Sequence, residues 1–199
     1  MLNQIEHDFK YKCFSLSELL TDVNTFDQYK KNLEQQSKQC SDDYHYSREE
    51  YAGDGFEMFV EALLKCYNND NRIGISDYVP LCAIPNEDVD IGVDGVGKSI
   101  LDGNPVTVQC KYKTNKTAVL TANDDHLCNF TWASVSKYGV DVNSNKHMVI
   151  ITSGKGLNVP FTKDTMLQGK VRCIGIDDIE GFVNGHTMFW NLFRSALGI

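Results

Sequence analysis

The tightest constraint on the fold is Val106-Thr107-Val108-Gln109-Cys110-Lys111-Tyr112, which alternates strictly in polarity. Side chains on a strand repeat every second residue. Val106, Val108, Cys110 and Tyr112 therefore belong to one face, and Thr107, Gln109, Lys111 and Lys113 to the other. Just upstream, Glu87-Asp88-Val89-Asp90-Ile91-Gly92-Val93-Asp94-Gly95 delivers acids at a turn. Asp102-Gly103-Asn104-Pro105 has turn composition and leads into the strand. If the two segments pair as a hairpin, Asp94, Gln109 and Lys111 come together.

A carboxylate, an amide oxygen and an ammonium make a site for a hard cation beside a charged group that suits an anion. Mg2+ prefers one or two carboxylates plus phosphate oxygens, so the set points to phosphodiester chemistry. Asp88, Asp90 and Asp94 share strand parity, and Asp90 is read as an ordinary surface acid. Gly97-Lys98-Ser99 is not a phosphate-binding loop, because its upstream glycines are misplaced and no helix is expected after it.

The strongest helix signal runs over 55–67. Phe56, Phe59, Val60, Leu63, Leu64 and Tyr67 form one apolar stripe. At about 100° per residue, Glu57 falls roughly 20° from Leu64, at the edge of that stripe, with Glu61 further towards solvent. A carboxylate bordering a buried face is costly unless it is paired or bound.

Together these pieces resemble the PD-(D/E)XK nuclease superfamily, and within it the Mrr-like restriction endonucleases, whose Gln-x-Lys replaces the commoner Glu-x-Lys. The resemblance rests on Gly55-Phe56-Glu57, Gly92-Val93-Asp94, Gln109-Cys110-Lys111 and Met148-Val149-Ile150-Ile151-Thr152-Ser153-Gly154, in that order. It covers roughly residues 50 to 185. It implies a restriction-endonuclease-like α/β fold with a mixed central sheet flanked by helices. It also implies Mg2+, with Mn2+ as a substitute, held by Glu57, Asp94, Gln109 and the backbone carbonyl of Cys110. Glu61 is the reserve acid. Lys111 would be the catalytic ammonium, and Lys98, Lys113 and Lys116 would contact the DNA backbone.

Length and composition are compatible with this. A chain of 199 residues can bury one full core. No apolar run approaches the roughly 20 residues of a membrane helix, and no signal peptide is recognised at the start. Seven scattered cysteines without a Cys-x-x-Cys pair suggest neither a disulfide framework nor a zinc site, and a reducing cytoplasmic setting is expected. The net charge of −8 argues mildly against a protein that coats nucleic acid. Between Lys98 and Lys116, however, four lysines face a single acid, Asp102.

Residues 1–48 are expected to form a helical N-terminal extension and 49–199 the nuclease-like domain. Helices are read after Ser15 and from Thr25, with a polar stretch over 34–50. Ile73 to Ala83 reads as a strand interrupted near Pro80. Asn123 to Lys137 reads as a helix carrying His126 and Trp132, both more simply packed or incidental than base-reading. A central strand is expected over 147–152, a helix over 162–169, a strand over 171–176, and a helical tail over 182–197.

Three functions follow. The first is a DNA endonuclease of restriction, homing or repair type. The second is a junction-resolving nuclease of the same fold. The third is a catalytically silent DNA-binding or assembly module. DNA is the partner all three share, with a homodimer and a helicase or other nucleic-acid-processing protein as further partners.

Overall fold

The computed structural model describes residues 4–11, 15–85, 92–121, 127–143, 147–158 and 170–199. Glu87, Asp88, Asp90, His126 and the helix expected over 162–169 lie outside them. The architecture is α/β, with a mixed five-stranded sheet between two helical layers.

Three helices come first: α1 (Leu16–Leu20), α2 (Phe26–Tyr44) and α3 (Arg48–Cys66). Each begins at a capping hydroxyl. Ser15 accepts from the Glu18 N–H, Thr25 from Gln28, and Ser47 from Glu50, and the Gln28 side chain bonds back to the Thr25 N–H. Such caps satisfy donors that the first helical turn leaves free. Two boundaries differ from expectation: α2 continues through the polar stretch to Tyr44, and α3 starts seven residues before 55, at Arg48. The caps and one-sided burial outweigh the poor apolar content there.

The sheet follows. Strands β1 (Ile75–Pro80), β2 (Gly95–Ser99), β3 (Pro105–Lys111), β5 (Met148–Thr152) and β7 (Val171–Ile174) lie in the order β1-β2-β3-β5-β7. The first three are antiparallel and the last three parallel. Short strands β4 (Val119–Leu120) and β6 (Gly156–Leu157) form a separate parallel pair. Pro80 ends β1 and leads into a 3-10 turn at Leu81–Ala83, consistent with a residue that cannot donate to a ladder.

Alternation assigns the two faces. Val106, Val108, Cys110, Val149 and Ile151 pack on α3, α2 and the C-terminal helices. Met148 and Ile150 pack on α4 (Leu127–Ser136) with Val93, Leu120 and Phe130. β5 is thus buried on both faces, which explains its continuous apolar sequence. The expected tail is two helices, Ile176–Val183 and Thr187–Ala196, separated by a turn in which Gly185 has φ 73°. Glycine accommodates this left-handed conformation without a Cβ penalty.

Residues 15–44 are not set apart from the rest. Leu19, Leu20, Val23, Phe26, Tyr29 and Leu33 join the same core as Phe56, Phe59, Trp190 and Phe193. α2 and α3 approach closely at Gly55, where an added Cβ would stand 2.4 Å from Leu33 Cδ1. There Tyr29 donates its hydroxyl to the Gly55 carbonyl at 2.7 Å. No helix among the described residues is long and apolar enough to cross a membrane. The scattered cysteines hold one bridge after all: Cys40 is disulfide-bonded, its partner outside the described residues, while Cys66, Cys82, Cys110, Cys128 and Cys173 are free.

Candidate functional site

The hairpin forms as its turn composition predicts, with Gly95 opposite Val108. Asp94, one step before β2, donates its N–H to the Val108 carbonyl at 2.9 Å. Its Oδ2 turns onto the Cys110 N–H at 2.5 Å. The Lys111 carbonyl faces β5, where it accepts from the Ser153 N–H and the Thr152 hydroxyl. Neighbouring strand residues present their polar groups to opposite edges. The Cys110 carbonyl therefore opens towards the β2 edge, where Asp94 sits.

Glu57 enters from α3. It belongs to the row Asp54, Glu57, Glu61 and Lys65, whose spacing keeps these side chains on one side of the helix. Among the described residues its carboxylate makes no hydrogen bond and no ion pair. Burial, and after it the nearby Asp94 charge, push the Glu57 carboxyl up to about 8, with His7 and Lys10 opposing. Two carboxylates sharing a poorly solvated site raise each other's cost of ionisation. A divalent cation would relieve that cost, so Glu57, Asp94 and the Cys110 carbonyl offer a donor set suited to a hard ion.

Glu61 corrects the sequence expectation. It is fully buried rather than turned towards solvent. Its oxygens accept the Glu6 N–H at 2.7 Å and the His7 N–H at 2.8 Å, and Lys65 Nζ stands 2.6 Å away. The N-terminal segment 4–11 lies along α3 as a strap and supplies these donors. Farther along it, His7 Nε2 meets Asp54 Oδ1 at 2.8 Å, and the Lys10 N–H donates to Asp54 Oδ2 at 3.0 Å. Burial alone would lower the His7 pKa, but the hydrogen bonds to Asp54 and Cys82 and the Asp54 charge carry it up to about 10. The imidazole is thus held as a cation at neutral pH.

Gln109 is not brought to the acids. Its strand neighbour Thr107 donates to the Ser134 hydroxyl on α4 at 2.8 Å, and Gln109 faces the same way. A Cβ on Gly92, which has φ 84°, would lie 3.2 Å from Gln109 Nε2 and 3.2 Å from the Phe130 backbone nitrogen. The amide is 1% exposed, and its Oε1 has no hydrogen-bond partner among the described residues. Glu57 and Cys110 lie on the opposite face. Simple parity groups Asp94 with Gln109 and Lys111, but the chain turns just before β2 and directs the Asp94 side chain towards Glu57 and Tyr78.

Lys111 is half-buried at the end of β3, and among the described residues its ammonium has no ion pair or side-chain hydrogen bond. Lys113 follows it beside a cleft lined by Glu34, Lys38, Arg48, Glu49 and Tyr112. Lys98 is exposed and pairs with Asp77 at 3.1 Å. Lys116 is held between Asp27 and Glu180, the latter at 2.6 Å, and links α2 to a C-terminal helix. Trp132 is 69% exposed. Sequence reasoning missed Asp54, His7 and Lys10. Asp54 carried a readable signal, three residues before Glu57 on the same helix; His7 and Lys10 carried none, because only tertiary docking of the strap brings them near.

Comparison with family models, with curated proteins and with solved structures finds no match.

Proposed function

We propose that this chain is a Mg2+-dependent DNA endonuclease of the PD-(D/E)XK type, similar to the Mrr-like branch, that hydrolyses phosphodiester bonds. The observation that carries the reading is the Glu57 carboxylate: half-buried, without a hydrogen bond among the described residues, and set against Asp94. Two acids side by side in a poorly solvated place favour a cation between them. The five-stranded mixed sheet and the antiparallel hairpin carrying Asp94 and Lys111 agree with that fold without being particular to it.

In this reading Glu57, Asp94 and the Cys110 carbonyl hold the cation. When bound, it supplies Lewis acidity and a lowered pKa for its water. Asp94 is kept in place by the Cys110 N–H, so its carboxylate is oriented before any ligand arrives. Lys111 leaves β3 on the Gln109 face, so in this reading its long side chain reaches round the end of the strand to orient the attacking water and to stabilise charge developing on the phosphoryl oxygens. Lys113 and the neighbouring cleft with Lys38 and Arg48 offer a path for the backbone of the nucleic acid. Gln109 acts, in this account, by bracing Gly92 and the approach to Asp94 rather than as a ligand.

One observation favours the alternative of a silent DNA-binding module. The Gln109 side chain lies on the far face of the sheet, so the site has two carboxylates and no third side-chain oxygen from β3. Calorimetric titration of Mg2+ and Mn2+ into wild type and Asp94→Ala separates the readings. The nuclease reading expects binding by wild type and a loss of at least tenfold in the variant. Equal or absent binding in both overturns it.

A further inference from the structure

We infer that His7, Asp54 and Glu57 form a second divalent-cation site, one that takes a borderline ion such as Mn2+, Co2+ or Zn2+ in preference to Mg2+. The inference shares Glu57 with the proposed catalytic centre and to that extent rests on that reading. Three observations carry it.

Geometry comes first. One ligand atom from each of the three side chains lies within 4.8 Å of both others. Two ligands of one ion, each about 2.1 Å from it, stand at most about 4.2 Å apart. Small side-chain rotations therefore close the three atoms on one centre. The second observation is supply and demand of partners. Asp54 is 5% exposed and held by the His7 ring and the Lys10 N–H. Glu57, a neighbour in the same group, has no hydrogen bond among the described residues and faces the Asp94 charge as well. The strap thus brings a ring nitrogen, whose proton a bound ion would displace, beside the carboxylate of the α3 row that lacks a partner among the described residues.

The third observation is the chemistry of the donors. Imidazole nitrogen beside carboxylate oxygens suits first-row transition ions and Zn2+, whereas Mg2+ favours an all-oxygen shell. The two sites then divide the acids between them, with Asp94 and the Cys110 carbonyl on one side, Asp54 and His7 on the other, and Glu57 common to both. An ion at the second site would clamp the strap to α3 across 47 residues of sequence.

The test is titration of Co2+ and Zn2+ into the full chain after chelator treatment, followed by calorimetry and by the visible absorption of Co2+. Wild type, His7→Gln, Asp54→Asn and Asp94→Asn are compared, with circular dichroism confirming the fold of each. The expected result is at least tenfold weaker Co2+ and Zn2+ binding in His7→Gln and Asp54→Asn, and retained binding in Asp94→Asn. Unchanged affinity in His7→Gln overturns the proposal. Should His7→Gln fail to fold, electron spin-echo spectroscopy of wild type loaded with one equivalent of Mn2+ decides, since a histidine-nitrogen modulation supports the site and its absence overturns it. Loss of Mg2+ binding in Asp94→Asn is read separately, so the catalytic reading can fail while this site stands, and the reverse.

Discussion

The Glu57 carboxylate on α3 lies within the electrostatic reach of Asp94, yet only Asp94 is held by a backbone N–H, that of Cys110 at 2.5 Å. One acid is fixed and the other is left to find a partner. Burial first, and the Asp94 charge second, place Glu57 near 8 against an ordinary value of 4.5.

A pH dependence of stability follows from that shift. The folded chain holds a proton on Glu57 between about 4.5 and 8 that the unfolded chain has lost. The stabilisation linked to this proton is full below the unfolded value and disappears as pH rises through the folded one. Glu57→Gln removes the ionisable group. Without metal, the variant is expected to be more stable than wild type at pH 8.5 by on the order of 1 kcal/mol after solvent screening. Near pH 4.5 the two should be nearly equal. Urea denaturation at both values checks this.

The same proton competes with a cation. Apparent Mg2+ affinity is expected to rise well over tenfold between pH 6 and pH 8 and to level off above about pH 9, because a ligand must be deprotonated to bind. Calorimetry at three pH values in buffers of different ionisation heat would also register the released proton. A flat affinity over that range would remove Glu57 from the ligand set.

Gln109 offers a test that separates packing from chemistry. Its Oε1 is buried without a partner among the described residues, and an unsatisfied polar atom costs about 1–3 kcal/mol. Gln109→Leu should therefore leave thermal stability unchanged or raise it. If Gln109 only braces Gly92, cleavage by this variant should fall less than tenfold. A loss as large as that of Asp94→Ala assayed alongside would instead restore Gln109 as a ligand.

Much of the fold is legible in the sequence where a pattern repeats within one element. The alternation of 106–112, the apolar run of β5 and the capping hydroxyls at Ser15 and Thr25 each correspond to observed structure. Legibility fails where distant segments meet. Glu61 follows the helical period to a solvent-facing position, but the strap covers that face and its backbone donors occupy both oxygens. Gln109 and Lys111 obey parity, while Asp94 leaves it at the turn before β2. Lys116 looks like a free basic residue until α2 and a C-terminal helix bring Asp27 and Glu180 to it.

The close approach of α2 and α3 gives a purely structural prediction. Gly55→Ala would place a methyl 2.4 Å from Leu33 Cδ1, and overpacking of this kind costs about 1–3 kcal/mol. The melting temperature should fall by several degrees. Gly55→Ala with Leu33→Ala should recover part of that helix contact, though not the apolar burial lost at Leu33. Calorimetric melts of the single and double variants measure the coupling.

The central claim is most directly tested by a cleavage assay on plasmid, linear duplex, single-stranded and four-way-junction DNA. Wild type is run with Mg2+ or Mn2+ and with chelator, beside Lys111→Ala. The account predicts metal-dependent cutting that drops at least a hundredfold in the variant, with substrate preference separating a general endonuclease from a junction-resolving one. No cutting of any substrate by wild type, with both proteins binding DNA equally, would contradict it and leave a silent binding module.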